Sequence, residues 1–201
     1  MNYGEFKTLV RTYIKRTDLD DLIPTWVAMA GLRIDSDCKL AAQEYRTTTP
    51  AVAQYIPLPA DFIEMRNIQV DYRGQLALEY LTPEQLDNMT FQRLEGPPRF
   101  YTIFNNQVEL YPQGTAESEL TLELFYFAKN PDLTSDLQET KVLSQHPQLW
   151  LYAVMVEAMP FLEHESGQAS WATMYRDMAE VLNTRAESAR YSGNSIQMRA
   201  T

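Results

Sequence analysis

In this 201-residue sequence, the candidates for acid–base or nucleophilic chemistry are the two histidines, His146 and His164, the single cysteine, Cys38, and Glu157, an acid in an apolar run. An enzyme site brings a nucleophile, a base and an orienting group together, and motifs record that need as fixed spacings. Here "EHES" around His164 is not the H-E-x-x-H zinc pattern, and "SGQAS" lacks the flanking glycines of a nucleophile elbow. At a helix C-terminus His164 serves more simply as a partner of the helix dipole. Glu157 lies inside LWLYAVMVEAMPFL, and a carboxylate buried there needs a donor. A structural pair with an arginine is expected of it rather than catalysis. The acids of "DLDD" and "DSDC" read as a solvated helix start and helix face, because a calcium loop needs a ligand alternation and a glycine turn that both lack. A single cysteine leaves no intramolecular disulfide and too few thiols for structural zinc, and no glycine-rich phosphate loop occurs. The sequence therefore predicts no catalytic residues, no metal and no cofactor, and turns attention to surfaces.

Bulk charge narrows the surfaces. The net charge is −10, whereas nucleic-acid binders cluster Lys and Arg to neutralise phosphates. Residues 181 to 201 carry Arg185, Arg190 and Arg199 against Glu187 alone, which leaves 14 basic and 26 acidic residues in positions 1 to 180. An acidic body with a basic end suggests that the end meets an acidic surface, its own or a partner's. No run of about 18 uncharged apolar residues is present to span a bilayer, and the N-terminus does not read as a secretory signal. A cytoplasmic protein is expected.

The elements that would hold such surfaces follow from periodicity. Phe6, Leu9, Val10, Tyr13 and Ile14 share one face of a helix that Asn2 caps. A second helix is predicted from Thr17 or Asp18, with Leu22, Ile23, Trp26, Val27, Ala30, Ile34 and Ala41 inward. From Thr47 the period becomes two. Phe62 to Tyr72 reads as a strand with a bulge near Arg66-Asn67, Arg73-Gly74 as a turn, and Leu76 to Leu81 as a further strand. Thr82, Pro83 and Gln85 form the start of a short helix with a capping box. Phe100 to Phe104 and Gln107 to Tyr111 make a hairpin about Asn105-Asn106, two residues that tolerate positive φ. Leu120 to Ala128 becomes apolar on both faces, as an interior strand does. These strands predict one small antiparallel sheet with a helix across it.

Helices resume with one capped by Ser144, apolar nearly all round and ended or kinked by Pro160. The last runs from about Gln168 to Tyr191, with Trp171, Met174, Tyr175, Met178, Val181, Leu182 and Ala186 on one stripe and Gly193 able to terminate it. The fold class predicted is α+β: a helical bundle from residues 1–49 and 141–192, a β-rich insertion at 50–140 and an extended tail at 193–201.

Several segments together resemble one family: "IPTWVAMAGLRI", "LPADFIEMRNIQV", "LEYLTPEQLDNM", "GPPRFYTI…VELYP", "LELFYFAKNPDL" and "HPQLWLYAVMVEAMPFL". In order and spacing they are similar to the head-to-tail adaptor proteins of tailed bacteriophages, in particular short-tailed ones, over residues 3 to 192. The resemblance implies a twelve-membered homo-oligomeric ring below the portal protein, a location in the virion neck, and a DNA channel through which the genome passes without specific binding. It also implies contacts with a tail nozzle and, in some phages, fibres, and it brings no catalytic residues. An acidic lumen suits a channel that must not hold the duplex. Two sets of contact residues are expected on this reading. Arg190, Tyr191, Ile196, Met198 and Arg199 would meet the portal or a neighbouring subunit. Arg99, Tyr101, Asn105 and Asn106 would meet a neighbour or the tail. The competing readings are a monomeric ligand- or protein-binding module and a small hydrolase using Glu157 or His164.

Overall fold

The structure is a computed structural model and describes residues 1–51, 53–90, 96–112, 120–162 and 165–191. The chain divides into two compact units, residues 1–43 with 129–201 and residues 44–128. Each has its own core.

In the helical unit, α1 (Tyr3–Ile14) begins with a full capping box: Asn2 Oδ1 accepts from Glu5 N at 2.8 Å and Glu5 Oε2 accepts from Asn2 N at 3.1 Å. Tyr3, Phe6, Val10 and Ile14 are buried, while Tyr13 is exposed and leans on Trp171 edge-on at 6.0 Å. The second helix starts later than its acids suggest. A 3-10 turn at Asp20–Leu22 precedes α2 (Ile23–Asp37), and Pro24 occupies the first turn, where a missing N–H costs nothing. The helix also stops sooner than expected, so Ala41 is exposed in a 3-10 turn while Ala42 and Gln43 are buried.

In the β unit, β1 (Glu44–Pro50), β2 (Tyr55–Pro57), β3 (Phe62–Asp71), β4 (Gln75–Ala77) and β5 (Glu79–Tyr80) precede α3 (Pro83–Thr90), and β6 (Phe100–Phe104), β7 (Gln107–Tyr111) and β8 (Thr121–Ala128) follow it. The expected single sheet is two four-stranded sheets, ordered β1-β8-β3-β4 and β2-β7-β6-β5. The expected strand from Leu76 to Leu81 breaks at Leu78, which is buried. Its first half pairs antiparallel with β3, and its second half pairs parallel with β6 in the other sheet. The register of β3 against β8 shifts between Met65 and Asn67, at the predicted bulge, and again between Phe62 and Glu64. Ile68, Val70, Leu122 and Leu124 of one sheet and Tyr101, Val108 and Leu110 of the other belong to the same core. Interior placement explains why β8 reads as apolar on both faces. The cap of α3 is as predicted: Gln85 Oε1 accepts from Thr82 N at 3.0 Å and Thr82 Oγ1 from Gln85 N at 3.4 Å.

Back in the helical unit, residues 129 to 140, which composition alone places with the insertion, hydrogen-bond to the start of α1. Tyr3 N donates to Gln138 O and Gly4 N to Asp136 O, both at 2.9 Å. Next comes α4 (Lys141–Gln145), capped by Thr140 rather than Ser144, with Leu143 N donating to Thr140 Oγ1 at 3.2 Å. His146 separates it from α5 (Pro147–Ala158), because Pro147 has no N–H to continue the ladder. Leu149, Trp150, Leu151, Ala153 to Val156 and Ala158 of α5 are buried, and a 3-10 turn containing Pro160 ends the run. The last helix is α6 (Glu165–Tyr191), whose Tyr175, Ala179 and Leu182 are buried and whose Val181 is exposed. Gly193 lies outside the described residues.

Candidate docking surfaces

The hairpin of the β unit supplies the first surface. Asn105 and Asn106 have φ of 48° and 58°, the paired left-handed conformation of a two-residue hairpin turn whose twist matches its strands. Both are exposed, and Asn106 O accepts from Leu58 N at 3.0 Å, which ties the turn to the chain beyond β2. Arg99 is exposed, while its backbone works on both sides: its N–H donates to Tyr111 O and its C=O accepts from Glu79 N. Tyr101 is not a surface residue. It is 8% exposed because β6 lies between β5 and β7, and its ring meets Tyr80 edge-on at 5.5 Å; burial pushes its hydroxyl pKa up. The exposed aromatic at this tip is Phe104, 70% accessible. Its place at the strand end, immediately before two asparagines, is the signal that could have singled it out.

Among the apolar side chains left exposed on the helical unit are Met29 and Leu32 of α2, with Leu32 66% exposed. They fall off the inward stripe by sequence position alone. Ala28 and Leu32 border a cleft of about 380 Å³ that Pro24, Leu133, Lys129 and Asp132 also line. Gly31 and Trp150 are also in its wall, and a Cβ on Gly31 would stand 3.2 Å from Trp150 Cη2.

A second cleft, about 540 Å³, is walled by α2, α5 and α6 and edged by Arg33, Asp37, Tyr175, Arg176, Asn183 and Glu187. Arg33 on its edge is held in an ion pair: its Nε donates to Glu157 Oε1 at 2.7 Å and Nη2 lies 2.6 Å from the same oxygen. This is the arginine partner that the position of Glu157 predicts. Tyr175 Oη donates to Asp37 Oδ2 at 3.1 Å, and burial is the main reason its pKa is raised. Asn183 accepts from Lys39 N and donates to Asp37 O, both at 2.9 Å, and so holds α6 to the end of α2. Cys38 is buried, and burial pushes its thiol up to about 11, which leaves it protonated and a poor nucleophile. His146 sits between α4 and α5 with its pKa lowered by burial. His164 lies outside the described residues. Among the described residues no group of three or more His, Cys, Asp or Glu could hold a metal ion, and no helix is long and apolar enough to cross a membrane. Among the described residues, the cleft joins charged groups to their structural partners.

Asp35 is the acid that the sequence misjudges. Read as part of a solvated "DSDC" face, it is 8% exposed and accepts from Gln43 Nε2 at 2.9 Å, Asn130 N at 3.1 Å and Asn130 Nδ2 at 2.6 Å. Gln43 and Asn130 flank the points where the chain leaves and rejoins the helical unit. One carboxylate thus binds both crossing segments.

Of the expected tail contacts, Arg190 and Tyr191 close α6, and Ile196, Met198 and Arg199 lie outside the described residues. Residues 1–199 match the family model described as SU10 adaptor protein. No curated protein matches the chain.

Proposed function

The chain belongs to the SU10 adaptor protein family, a family of phage adaptors, and from that membership we propose that it is a ring-forming joint between the portal and the tail of a short-tailed phage. The match over residues 1 to 199 carries the reading. The family is a structural one and not an enzyme class, so the chemistry to be explained is that of contacts. Twelve copies form a ring, the portal docks on one side, and the tail nozzle, with fibres in some phages, docks on the other. The net charge of −10 supports a channel role, because a duplex moving past an acidic wall is repelled along its length and is not retained. Arg190, Tyr191, Ile196, Met198 and Arg199 form the portal or neighbour contact; Arg99 and the Asn105-Asn106 turn, with Phe104 beside it, form the neighbour or tail contact.

Native mass spectrometry of the full chain, alone and mixed with its portal, tests this. A closed ring that appears or tightens with portal, and that retains no duplex DNA at physiological salt, is the expected result. A monomer that neither assembles nor binds the portal would overturn it.

A further inference from the structure

Among the described strands, β1 is at the edge of its sheet. It pairs only with β8 among the described strands, over an unbroken seven-residue register from Glu44↔Phe127 to Pro50↔Thr121. Beyond it, Ala51 N donates to Leu120 O at 2.7 Å, which fixes the phase of the ladder. In an antiparallel pair, hydrogen-bonded and non-bonded positions alternate, so Thr49 and Thr47 turn their backbone groups to β8, whereas Thr48 and Arg46 turn theirs outward.

Native sheets protect edges with short strands, prolines, bulges or charges. The other edges have such protection: β4 and β2 are three residues long, β2 ends in Pro57, and β5 has two residues. β1 has no bulge and no proline before its last residue, and its Thr47-Thr48-Thr49 run favours extended backbone. Arg46 does not guard it. Its guanidinium pairs with Glu123 and lies over the Phe125 ring at 4.5 Å, so the charge is held on the sheet face.

The same register defines what fits. The side chains of Thr47 and Thr49 share a face with Leu124 and Leu122, which are buried, while Arg46 and Thr48 are on the face of Glu123 and Phe125. An added strand would therefore be apolar at every second residue, toward the core, and polar between, over about five residues. We propose that the occupant is residues 195–199 of a second copy of this chain, Ser195-Ile196-Gln197-Met198-Arg199, which add to β1 as a fifth strand. Ile196 and Met198 have the required two-residue spacing. Ten residues follow α6, enough for a five-residue strand of about 17 Å with a short link before it. The charges agree, since Arg199 belongs to the net-positive end and β1 to the net-negative body. Passing the end of one copy to the edge of the next is a head-to-tail contact, which closes into a ring when the rotation permits. This rests on the adaptor reading and names one contact within it.

Hydrogen exchange at the Arg46 and Thr48 amides, measured on the full chain at low and high concentration, tests the assignment. Assembly should slow both by more than about tenfold, a change that removal of residues 192–201 abolishes. Thr48→Pro should abolish it too, since it deletes an outward N–H and no bond to β8. Mixing the truncated chain with Thr48→Pro chains should restore protection on the truncated copies, whose edges are intact, because the tails come from the other copies. Should Thr48→Pro fail to fold, full-length Ile196→Asp/Met198→Asp provides the tail-deficient arm and must lose the slowing. Slowing independent of concentration would give the edge to the chain's own end; slowing that survives truncation would give it to another occupant; no slowing would leave it uncovered. Each overturns the proposal. Portal docking by the truncated chain with unprotected β1 amides would leave the adaptor reading standing and remove only this contact. A protected edge in chains that do not bind the portal would do the reverse.

Discussion

Arg33 Nε and Glu157 Oε1 are 2.7 Å apart, across two helices and 124 positions of sequence, with the carboxylate side chain 12% exposed and the guanidinium 39%. The pair costs desolvation on one side and is partly screened on the other, so its loss should be felt more through the stranded partner than through the missing attraction. Glu157→Ala is expected to destabilise the helical unit by about 1–3 kcal/mol, and Glu157→Gln by less because an acceptor remains. Urea unfolding checks this, together with the Arg33→Ala/Glu157→Ala double variant, which should cost less than the two single changes added.

Gly31 stands against Trp150, where a new Cβ would come within 3.2 Å of Cη2. Alanine in a helix interior gains about 1 kcal/mol over glycine, yet Trp150 is 2% exposed and has little room to retreat, and overpacking costs about 1–3 kcal/mol. Gly31→Ala should therefore be neutral to about 2 kcal/mol destabilising in wild type. In a Trp150→Phe background it should become stabilising, and chemical denaturation of the four proteins reads the reversal.

The carboxyl pKa of Asp35 is raised from 3.8 because burial outweighs the donors Asn130 and Gln43 and the nearby charge of Lys129. Between 3.8 and the raised value the folded chain holds a proton that the unfolded chain has released. Stability from this group therefore falls as pH rises through that window. Relative to Asp35→Asn, wild type should lose stability as pH increases from about 4, while the other carboxylates cancel in the comparison. Urea midpoints of both proteins across that range check the sign; a relative gain would mean that the donors prevail over burial.

At the hairpin, Asn106 adopts φ of 58°, which a β-branched residue resists by about 1–2 kcal/mol. Asn106→Val should loosen β6 and β7, and Asn106→Gly should not, because glycine accepts positive φ freely. Exchange rates at the Thr102 and Glu109 amides, a pair on the β6–β7 ladder, are the readout. The helical unit, with its separate core, should be unaffected by either change.

The features legible from residue order alone are local. Asn2 with Glu5, Thr82 with Gln85, the bulge after Met65 and the Asn105-Asn106 turn each involve residues within a few positions of one another, where side-chain geometry and φ preference decide the outcome. The Glu157 pair was also legible in type, since an acid in an apolar helix requires a donor, but nothing in the sequence chose Arg33 among the arginines. Tertiary structure decided everything that depends on which distant segments meet. Leu76 to Leu81 reads like a single strand, yet β4 and β5 pair in different sheets, with buried Leu78 between them and β5 beside β6. Ser144 and Thr140 are both acceptable caps by type, and the chain uses the one whose helix stops at Pro147. Tyr101 looks the same as any strand tyrosine until strands on both sides of β6 bury it. Asp35 carries no mark distinguishing it from the solvated acids around it; only the return of Asn130, 95 positions later, makes it a buried acceptor. Local preferences act over one turn or one hairpin, whereas burial is a property of the packed assembly of elements, and it overrides them wherever the two differ.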